Sequence, residues 1–297
     1  MTHSTAPVAI AGAGRLGPAL GLLLRERGVP ITAIAGRDPE RAANAARFIG
    51  GGAKAVSFSE LPSHAERILI AVPDDAIESV ATLFADAGIS RGSFAIHTSG
   101  ARGPEALARL EERGVSCAAM HPLQTVTTPQ QGLSSLPGSS YGISGSGQAS
   151  SDGALGWALE IVALLEGKPL MIEAAMRPLY HAAAVMASNY IVALIDSAVI
   201  LMGEAGVEPE QALRALAPLI RASAENTLEA GPTHALTGPI QRGDSGTVLA
   251  HLQALESVPQ AVRELYRRAG LHAAEIAERK GPHRGEIKLV LREGTGE

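Results

Sequence analysis

The 297-residue sequence predicts an α/β fold, with a parallel β-sheet in the N-terminal part and helices alone in the C-terminal part. Short apolar runs alternate with stretches of helical periodicity up to about residue 172, which is typical of a parallel sheet with crossover helices. The strand candidates are residues 7–11, 31–35, 54–57, 67–72, 93–97 and 116–120, with a shorter one at 141–144. From residue 173 long helical stretches follow, and only residues 287–291 could add a strand. We therefore predict two domains, 1–172 and 173–297.

A glycine motif, G-x-G-x-x-G, lies between the first predicted strand and the first predicted helix, at Gly12, Gly14 and Gly17. In a dinucleotide-binding turn the first glycine permits a tight turn, the second lets the pyrophosphate approach, and the third packs helix against strand. Arg15 and Leu16 lie where the helix N-terminus would meet the phosphate charge. The motif predicts an N-terminal Rossmann-like parallel sheet domain, followed by an all-α C-terminal domain. A glycine-rich turn of another α/β fold is the alternative.

Arg37 follows the second predicted strand, where an NAD-binding chain usually has an acidic residue about 20 positions past the glycine motif. Arg37 and Arg41 could hold a ribose 2′-phosphate by charge-assisted hydrogen bonds, and Gly36 leaves room for that group. We therefore predict NADP as the cofactor. Asp38 keeps NAD open, because a one-residue shift would bring its carboxylate to the ribose. Asp38 could equally cap the next helix, and this role is compatible with NADP binding.

Composition and charge exclude several classes of protein. A formal net charge of −5 without a basic block argues against nucleic-acid binding. A single cysteine, Cys117, excludes an intrachain disulfide framework and a multi-cysteine metal site, and fits a reducing compartment. The N-terminus has no basic stretch before its first apolar run, so we expect no signal peptide and a cytoplasmic location.

Residues 181–203 form an apolar segment that is long enough to span a membrane. His181, Asn189 and Asp196 interrupt it, and the sequence has no second span and no aromatic belt. We predict one long helix over residues 178–203, buried in a soluble protein as a central helix or at a subunit interface. Because a small helical domain could hardly cover this helix alone, we expect a homodimer formed through the helical half and no membrane association.

Polar residues gather after three predicted strands, at the edge of the sheet where the glycine motif lies. These clusters are residues 73–75, 97–100 and 121–125, and they include Ser99 and His121. We assign Val72 and Pro73, where the fourth strand ends, to the cofactor site. On the long helix, His181, Ser188, Asn189 and Asp196 share one arc at about 100° per residue. We predict that His181 and Asn189 face a substrate cleft, and that Asp196 belongs to a structural network. A structural network throughout is the alternative.

With these motifs the chain resembles a branch of the 6-phosphogluconate dehydrogenase-like reductases that pairs a Rossmann-like domain with an uncharacterised helical domain. The matching runs are residues 12–17, 71–77, 97–101, 121–125, 180–184, 188–190 and 235–239. Members of this branch are named as NADP oxidoreductases, and an alternative type of ketopantoate reductase is similar to it. Pyrroline-5-carboxylate reductases and β-hydroxyacid dehydrogenases are more distant. The resemblance implies an NADP-dependent oxidoreductase with a small-molecule substrate.

One departure from the β-hydroxyacid dehydrogenases concerns the proton donor. They carry a catalytic lysine one helical turn before an asparagine, whereas Val185 stands four residues before Asn189 here. We expect a histidine to donate the proton instead, His121 in preference to His181. Ser99 and Asn189 would hold a carbonyl or carboxylate. The sequence thus predicts an NADPH-dependent reductase of a small carbonyl compound (a 2-oxo acid, ketopantoate-like) or an imine. The alternative is a regulatory protein that binds NADP without catalysis.

Overall fold

The computed structural model describes residues 6–146, 153–281 and 285–292. The chain divides into two compact units, Met1–Ser188 and Asn189–Glu297. The first is built around an eight-stranded sheet, and the described part of the second is helical, so the predicted fold class is confirmed. The first unit extends past residue 172, where we expected the domain boundary, because hydrogen bonds from Arg177 anchor the next helix to the sheet region.

The sheet has the strand order β3-β2-β1-β4-β5-β6-β7-β8. Its strands are β1 Val8–Ala11, β2 Ile31–Ala35, β3 Lys54–Val56, β4 Arg67–Ile70, β5 Phe94–His97, β6 Ser116–Pro122, β7 Ser140–Gly145 and β8 Lys168–Met171. Neighbours pair in parallel except β6 and β7, which pair antiparallel. All the N-terminal strand candidates are confirmed. β8 was not predicted, because its four residues are exposed and include Pro169, so it carries no apolar strand pattern.

Fourteen α-helices lie in the described part of the chain. They are α1 Leu16–Glu26, α2 Pro39–Ile49, α3 Ile77–Asp86, α4 Ala108–Glu111, α5 Pro129–Ser135, α6 Ala154–Leu164, α7 Arg177–Ala187, α8 Asn189–Glu204, α9 Pro209–Ala230, α10 Pro232–Ala235, α11 Gly238–Arg242, α12 Ser245–Ala254, α13 Gln260–Glu278 and α14 Gly285–Arg292. The tail segment that could have added a strand is therefore helical.

The single helix predicted over residues 178–203 is interrupted at Ser188, which corrects that prediction. Ser188 has φ −130° and ψ −72°, outside the helical region, and it separates α7 from α8. Its hydroxyl donates a hydrogen bond of 2.8 Å to the carbonyl of Ala184. Such bonds from serine to the preceding turn compete with helix hydrogen bonds and bend helices.

Apolar cores lie on both faces of the sheet. Val8 and Ile10 of β1 pack on the face covered by α1 and α6, whereas Ala9 and Ala11 pack on the face covered by α3. The second unit has its own core, to which α12, α13 and α14 contribute. With helices on both faces, the carboxyl ends of the strands remain as the edge where ligands bind in open α/β sheets.

Helix α8 is apolar but none of its residues is buried within the chain, so of the two positions predicted for this helix the central one is not observed and the subunit interface stays a prediction. Tyr190 is 57% exposed and Val192 67% exposed. Among the described residues, one helical region, Ala174–Glu204, could cross a membrane by length and composition alone; its most apolar window has a mean hydropathy of 1.8 and is 0% buried.

We expect Gly12 and Gly14 to respond differently to the same substitution. Gly12 has φ +123°, and a Cβ there would lie 2.2 Å from the carbonyl oxygen of Ala71, whereas a Cβ at Gly14 would meet nothing within 4 Å. Gly12→Ala should lower the free energy of unfolding by on the order of 2–4 kcal/mol, through backbone strain and a clash. Gly14→Ala is the matched control and should change it by less than about 0.5 kcal/mol. Chemical denaturation measures both, and equal losses would contradict this account of the turn.

Candidate functional site

The glycine turn after β1 opens into a cleft of about 570 Å³ at the carboxyl edge of the sheet. The cleft is lined by Gly12, Ala13, Gly14, Gly36, Arg37, Asp38, Arg41, Phe58, Ala71, Val72, Pro73, Ala76, Ser79, Val80 and Leu83. Gly14 is exposed, with open space where a side chain would stand, so a ligand can reach the backbone. The turn therefore fits a phosphate group, which helix N-termini favour.

The predicted cofactor residues divide between the cleft wall and its support. Gly12, Gly14, Arg37, Arg41, Val72 and Pro73 line the cleft. A Cβ at Gly17 would lie 2.0 Å from the carbonyl oxygen of Gly12, so Gly17 permits close packing of the turn against α1. Leu16 packs against the core, and Arg15 is exposed immediately before α1.

Asp38 caps helix α2. Its Oδ1 accepts hydrogen bonds from the backbone N–H of Glu40 at 2.9 Å and of Arg41 at 3.3 Å. Its Oδ2 lies 3.5 Å from Nε of Arg41. The capping interpretation of Asp38 is confirmed. Because the Asp38 carboxylate already accepts these bonds, it is less available to the hydroxyls of a ribose. Arg37 beside it is exposed, so its guanidinium can reach a phosphate.

A second polar cluster lies where β5, β6 and β7 meet helix α7. At its base is Arg177, which is 0% exposed. Its guanidinium donates to Ser144 Oγ at 3.0 Å and to the carbonyl of Gly142 at 3.4 Å, and it also donates to the carbonyl of Ser99. In the described chain, Nε has no acceptor and no carboxylate lies within ion-pair distance. A buried cation thus rests on neutral partners only.

Above Arg177, α7 brings Tyr180 and His181 against His121 at the end of β6. The Tyr180 hydroxyl and His121 Nδ1 are 3.0 Å apart, and the two rings meet edge-on at 5.7 Å between centroids. His181 meets the His121 ring edge-on at 5.8 Å. Two glycines make room: a Cβ at Gly142 would lie 2.6 Å from Tyr180, and one at Gly100 would lie 2.4 Å from His181. The predicted approach of His121 and His181 is present within the first unit.

The surroundings of His121 work against the imidazolium that we expected as proton donor. Burial, the nearby Arg177 and His181 lower the pKa of His121 to about 4, and Asp74 offsets this only in part. The ring is therefore neutral at neutral pH and holds no surplus proton. The physical reason is desolvation of a cation beside a second, permanently charged cation.

Ser99 and Asn189, the two residues predicted to hold the substrate, belong to different units of the chain. Ser99 is 4% exposed, and its hydroxyl accepts the backbone N–H groups of Ala101 at 3.2 Å and Arg102 at 3.0 Å, so it holds the turn after β5. Asn189 is the first residue of α8 in the second unit, and its role at the site stays a prediction.

Sequence reasoning gave no role to Arg177 or Tyr180. Tyr180 stands in one of the runs that carry the family resemblance, directly before His181, and that adjacency was the available signal. The hydrogen-bond partners of Arg177 in the sheet region lie 33 to 78 residues away in the sequence, so no local sequence pattern predicts its role.

Two family models match the chain. A model described as a Rossmann-like domain matches residues 1–122, and a model described as a domain of unknown function, DUF2520, matches residues 147–273. The predicted pairing of a Rossmann-like domain with an uncharacterised second domain is thereby confirmed, whereas the relation to ketopantoate reductases stays a prediction. No curated protein matches the chain.

Solved structures share the fold. A Bacteroides fragilis protein provisionally named NADP oxidoreductase is 22% identical, with a TM-score of 0.74 over 92% of this chain and 100% of that chain. A Thermotoga maritima protein is 26% identical, with a TM-score of 0.70 over 92% of this chain and 99% of that chain. An imine reductase from Streptomyces aurantiacus is 18% identical, with a TM-score of 0.63 over 95% of this chain and 99% of that chain.

Two neutral histidines at the site predict acid sensitivity. Burial lowers the pKa of both His97 and His121 to about 4. Above a pH of about 6.5 these rings are neutral in the folded and unfolded states, whereas below it only the unfolded chain gains their protons. The free energy of unfolding should therefore fall as the pH drops from about 6.5 to about 4, by up to roughly 1.4 kcal/mol per pH unit for each histidine.

Denaturation at several pH values measures this slope. His97→Gln keeps a donor for the Gly103 carbonyl, which His97 Nε2 contacts at 2.8 Å, but cannot titrate, so its slope should be smaller. His272→Gln, at an exposed helical position, is the matched control. An unchanged slope in His97→Gln would refute the burial argument.

Proposed function

We propose that the protein is an NADPH-dependent oxidoreductase that reduces a small carbonyl compound, such as a 2-oxo acid of the ketopantoate type, or an imine. The observation that carries the proposal is the open turn at Gly14, with Arg37 and Arg41 along the same cleft. The names of two proteins with this fold, an NADP oxidoreductase and an imine reductase, agree with it.

The proposed cofactor residues are Gly12, Gly14, Arg15, Leu16, Gly17, Arg37, Arg41, Val72 and Pro73. The turn and the first N–H groups of α1 would bind the pyrophosphate. Arg37 and Arg41 would bind the 2′-phosphate through charge-assisted hydrogen bonds. Val72 and Pro73 would provide apolar wall. Bound NADPH supplies a hydride to the electrophilic carbon of the substrate.

The substrate would meet the polar cluster at the ends of β5 and β6. His121 and His181 lie together there, and the proton needed by the product would come from this cluster. Ser99 remains a candidate for holding a carbonyl or carboxylate through its O–H, because the bonds within its own turn use its oxygen only as an acceptor. Asn189 remains a candidate for holding a carbonyl or carboxylate, on the sequence argument alone.

Single-turnover oxidation of NADPH, followed by its absorbance across a panel of 2-oxo acids and cyclic imines, tests the function. At least one probe should oxidise one equivalent of NADPH per site. If NADPH binds and no probe is reduced, the alternative holds, in which the protein is a regulatory NADP-binding protein.

Replacing Arg37 should separate the two nicotinamide cofactors. Arg37→Ala removes one or two charge-assisted contacts to the 2′-phosphate and should weaken NADPH binding by roughly 10- to 100-fold. NADH has no such phosphate, so its affinity should barely change. Fluorescence titration of both cofactors measures this. Arg113→Ala, at an exposed position that neither lines the cleft nor belongs to the proposed cofactor residues, is the control. Equal losses for NADPH and NADH would mean that Asp38 faces the ribose.

We also propose that the protein is a cytoplasmic homodimer formed through its helical half. The support is the exposed apolar surface of α8, where Val192 is 67% and Leu194 47% exposed. Val192→Glu should weaken the dimer, because a charge would be buried at the interface. Leu159→Glu on α6 is the control. Sedimentation velocity at micromolar concentration reads the outcome, and a wild-type monomer would contradict the proposal.

A further inference from the structure

We propose that Tyr180 is the proton donor of the reductase, with its phenol oriented by the Nδ1–H of a neutral His121 and its phenolate stabilised by the buried Arg177. The inference rests on the proposed function, which does not specify the residue that protonates the product, and it names that residue. It differs from the sequence expectation, in which a charged histidine gives the proton.

The contacts of the Tyr180 oxygen leave its own proton free. His121 Nδ1 lies 3.0 Å away, and the backbone N–H of Gly142 acts on this oxygen as a donor that lowers the pKa of the phenol. When both groups donate, the oxygen accepts two bonds and the O–H is available to a substrate. Gly142 permits the arrangement, because any side chain there would occupy the place of the Tyr180 ring.

Arg177 stabilises the anion that proton donation creates. Its guanidinium carbon lies 5.9 Å from the centroid of the Tyr180 ring, and it has no carboxylate within ion-pair distance in the described chain. A cation buried among neutral partners gains more from a new neighbouring anion than a cation that is already paired.

The charges around the pair agree with these roles. Burial raises the pKa of Tyr180, and Arg177 and the Gly142 hydrogen bond offset part of the rise, so the phenol is protonated at neutral pH. His121 carries no surplus proton there, because its pKa is about 4. Three other titratable groups influence the pKa values of this cluster. Asp74, which follows β4, acts on both His121 and Arg177, His181 on α7 acts on His121, and Glu105 acts on Arg177.

The proton step balances without any further reactant. After the substrate carbon is reduced, the carbonyl oxygen, or the nitrogen of an imine, carries the electron pair of the broken π bond. The phenol O–H bond of Tyr180 breaks, a new O–H or N–H bond forms on the product, and the phenolate remains. Tyr180 is only half-buried, so water restores its proton after the product leaves.

The tautomer of His121 tests the arrangement without turnover. Nitrogen-15 NMR of the histidine-labelled protein at neutral pH, assigned by comparison with His121→Asn, should show a neutral ring protonated at Nδ1. A ring protonated at Nε2 would overturn the proposal, because Nδ1 would then accept the phenol proton and hold it away from the substrate.

Turnover by Tyr180→Phe tests the donor itself, with the 2-oxo acids and cyclic imines as probes. The single-turnover rate should fall by about 10²–10⁴-fold, with the NADPH dissociation constant within about twofold of wild type. Tyr266→Phe is the matched control, because Tyr266 makes the same edge-on pair with His251, 2.8 Å from oxygen to Nδ1, and no arginine of the described chain stacks on its ring. A full rate in Tyr180→Phe overturns the donor role alone, whereas absence of turnover in the wild-type protein overturns the reductase function as well.

Rescue at His121 separates the positioning role from acid catalysis. His121→Asn keeps an N–H near the place of Nδ1 and should retain a rate within about tenfold of wild type, whereas His121→Leu should lose more, since the phenol is no longer oriented. A loss of about 10²–10⁴-fold in His121→Asn with a full rate in Tyr180→Phe would assign the proton to His121 instead.

Discussion

The burial of Arg177 is the interaction on which the candidate site depends. This one side chain joins the turn after β5, through Ser99, to β7, through Gly142 and Ser144, and it begins helix α7. Since each buried N–H group that loses its acceptor costs free energy, the three hydrogen bonds of Arg177 hold the first turn of α7 against the sheet region. Tyr180 and His181 follow on that turn, and their distances to His121 are set as a result.

The site combines two kinds of environment at one edge of the sheet. Around the glycine turn the structure offers open space and exposed cations, at Gly14, Arg37 and Arg41, which suits a large, highly charged ligand. Around His121 the cation is the buried Arg177, which is held by hydrogen bonds to two backbone carbonyls and to Ser144, and His121 itself is paired with the Tyr180 hydroxyl. Burial there disfavours a charged histidine, so a neutral acid such as a phenol is better suited to supply a proton at neutral pH.

Local patterns predicted most of the fold and one part of the site. The strands, the glycine turn and the cap at Asp38 follow from short runs of residues, and the structure has them where the sequence placed them. β8 and the break at Ser188 did not follow, because an exposed strand has no apolar pattern and a serine within an apolar run gives no local sign of a break. Arg177 could not be found, since its partners come together only when the sheet forms, and the low pKa of His121 depends on the same burial.

The central claim is that the glycine turn and its arginines form an NADP site. A crystal structure of the protein with NADP⁺ bound is the most direct test of this claim. The account predicts the pyrophosphate against the backbone of Gly14 and the 2′-phosphate within hydrogen-bond distance of Arg37. A ribose whose hydroxyls bond to Asp38 while Arg37 points away, or a dinucleotide bound elsewhere on the chain, would contradict it.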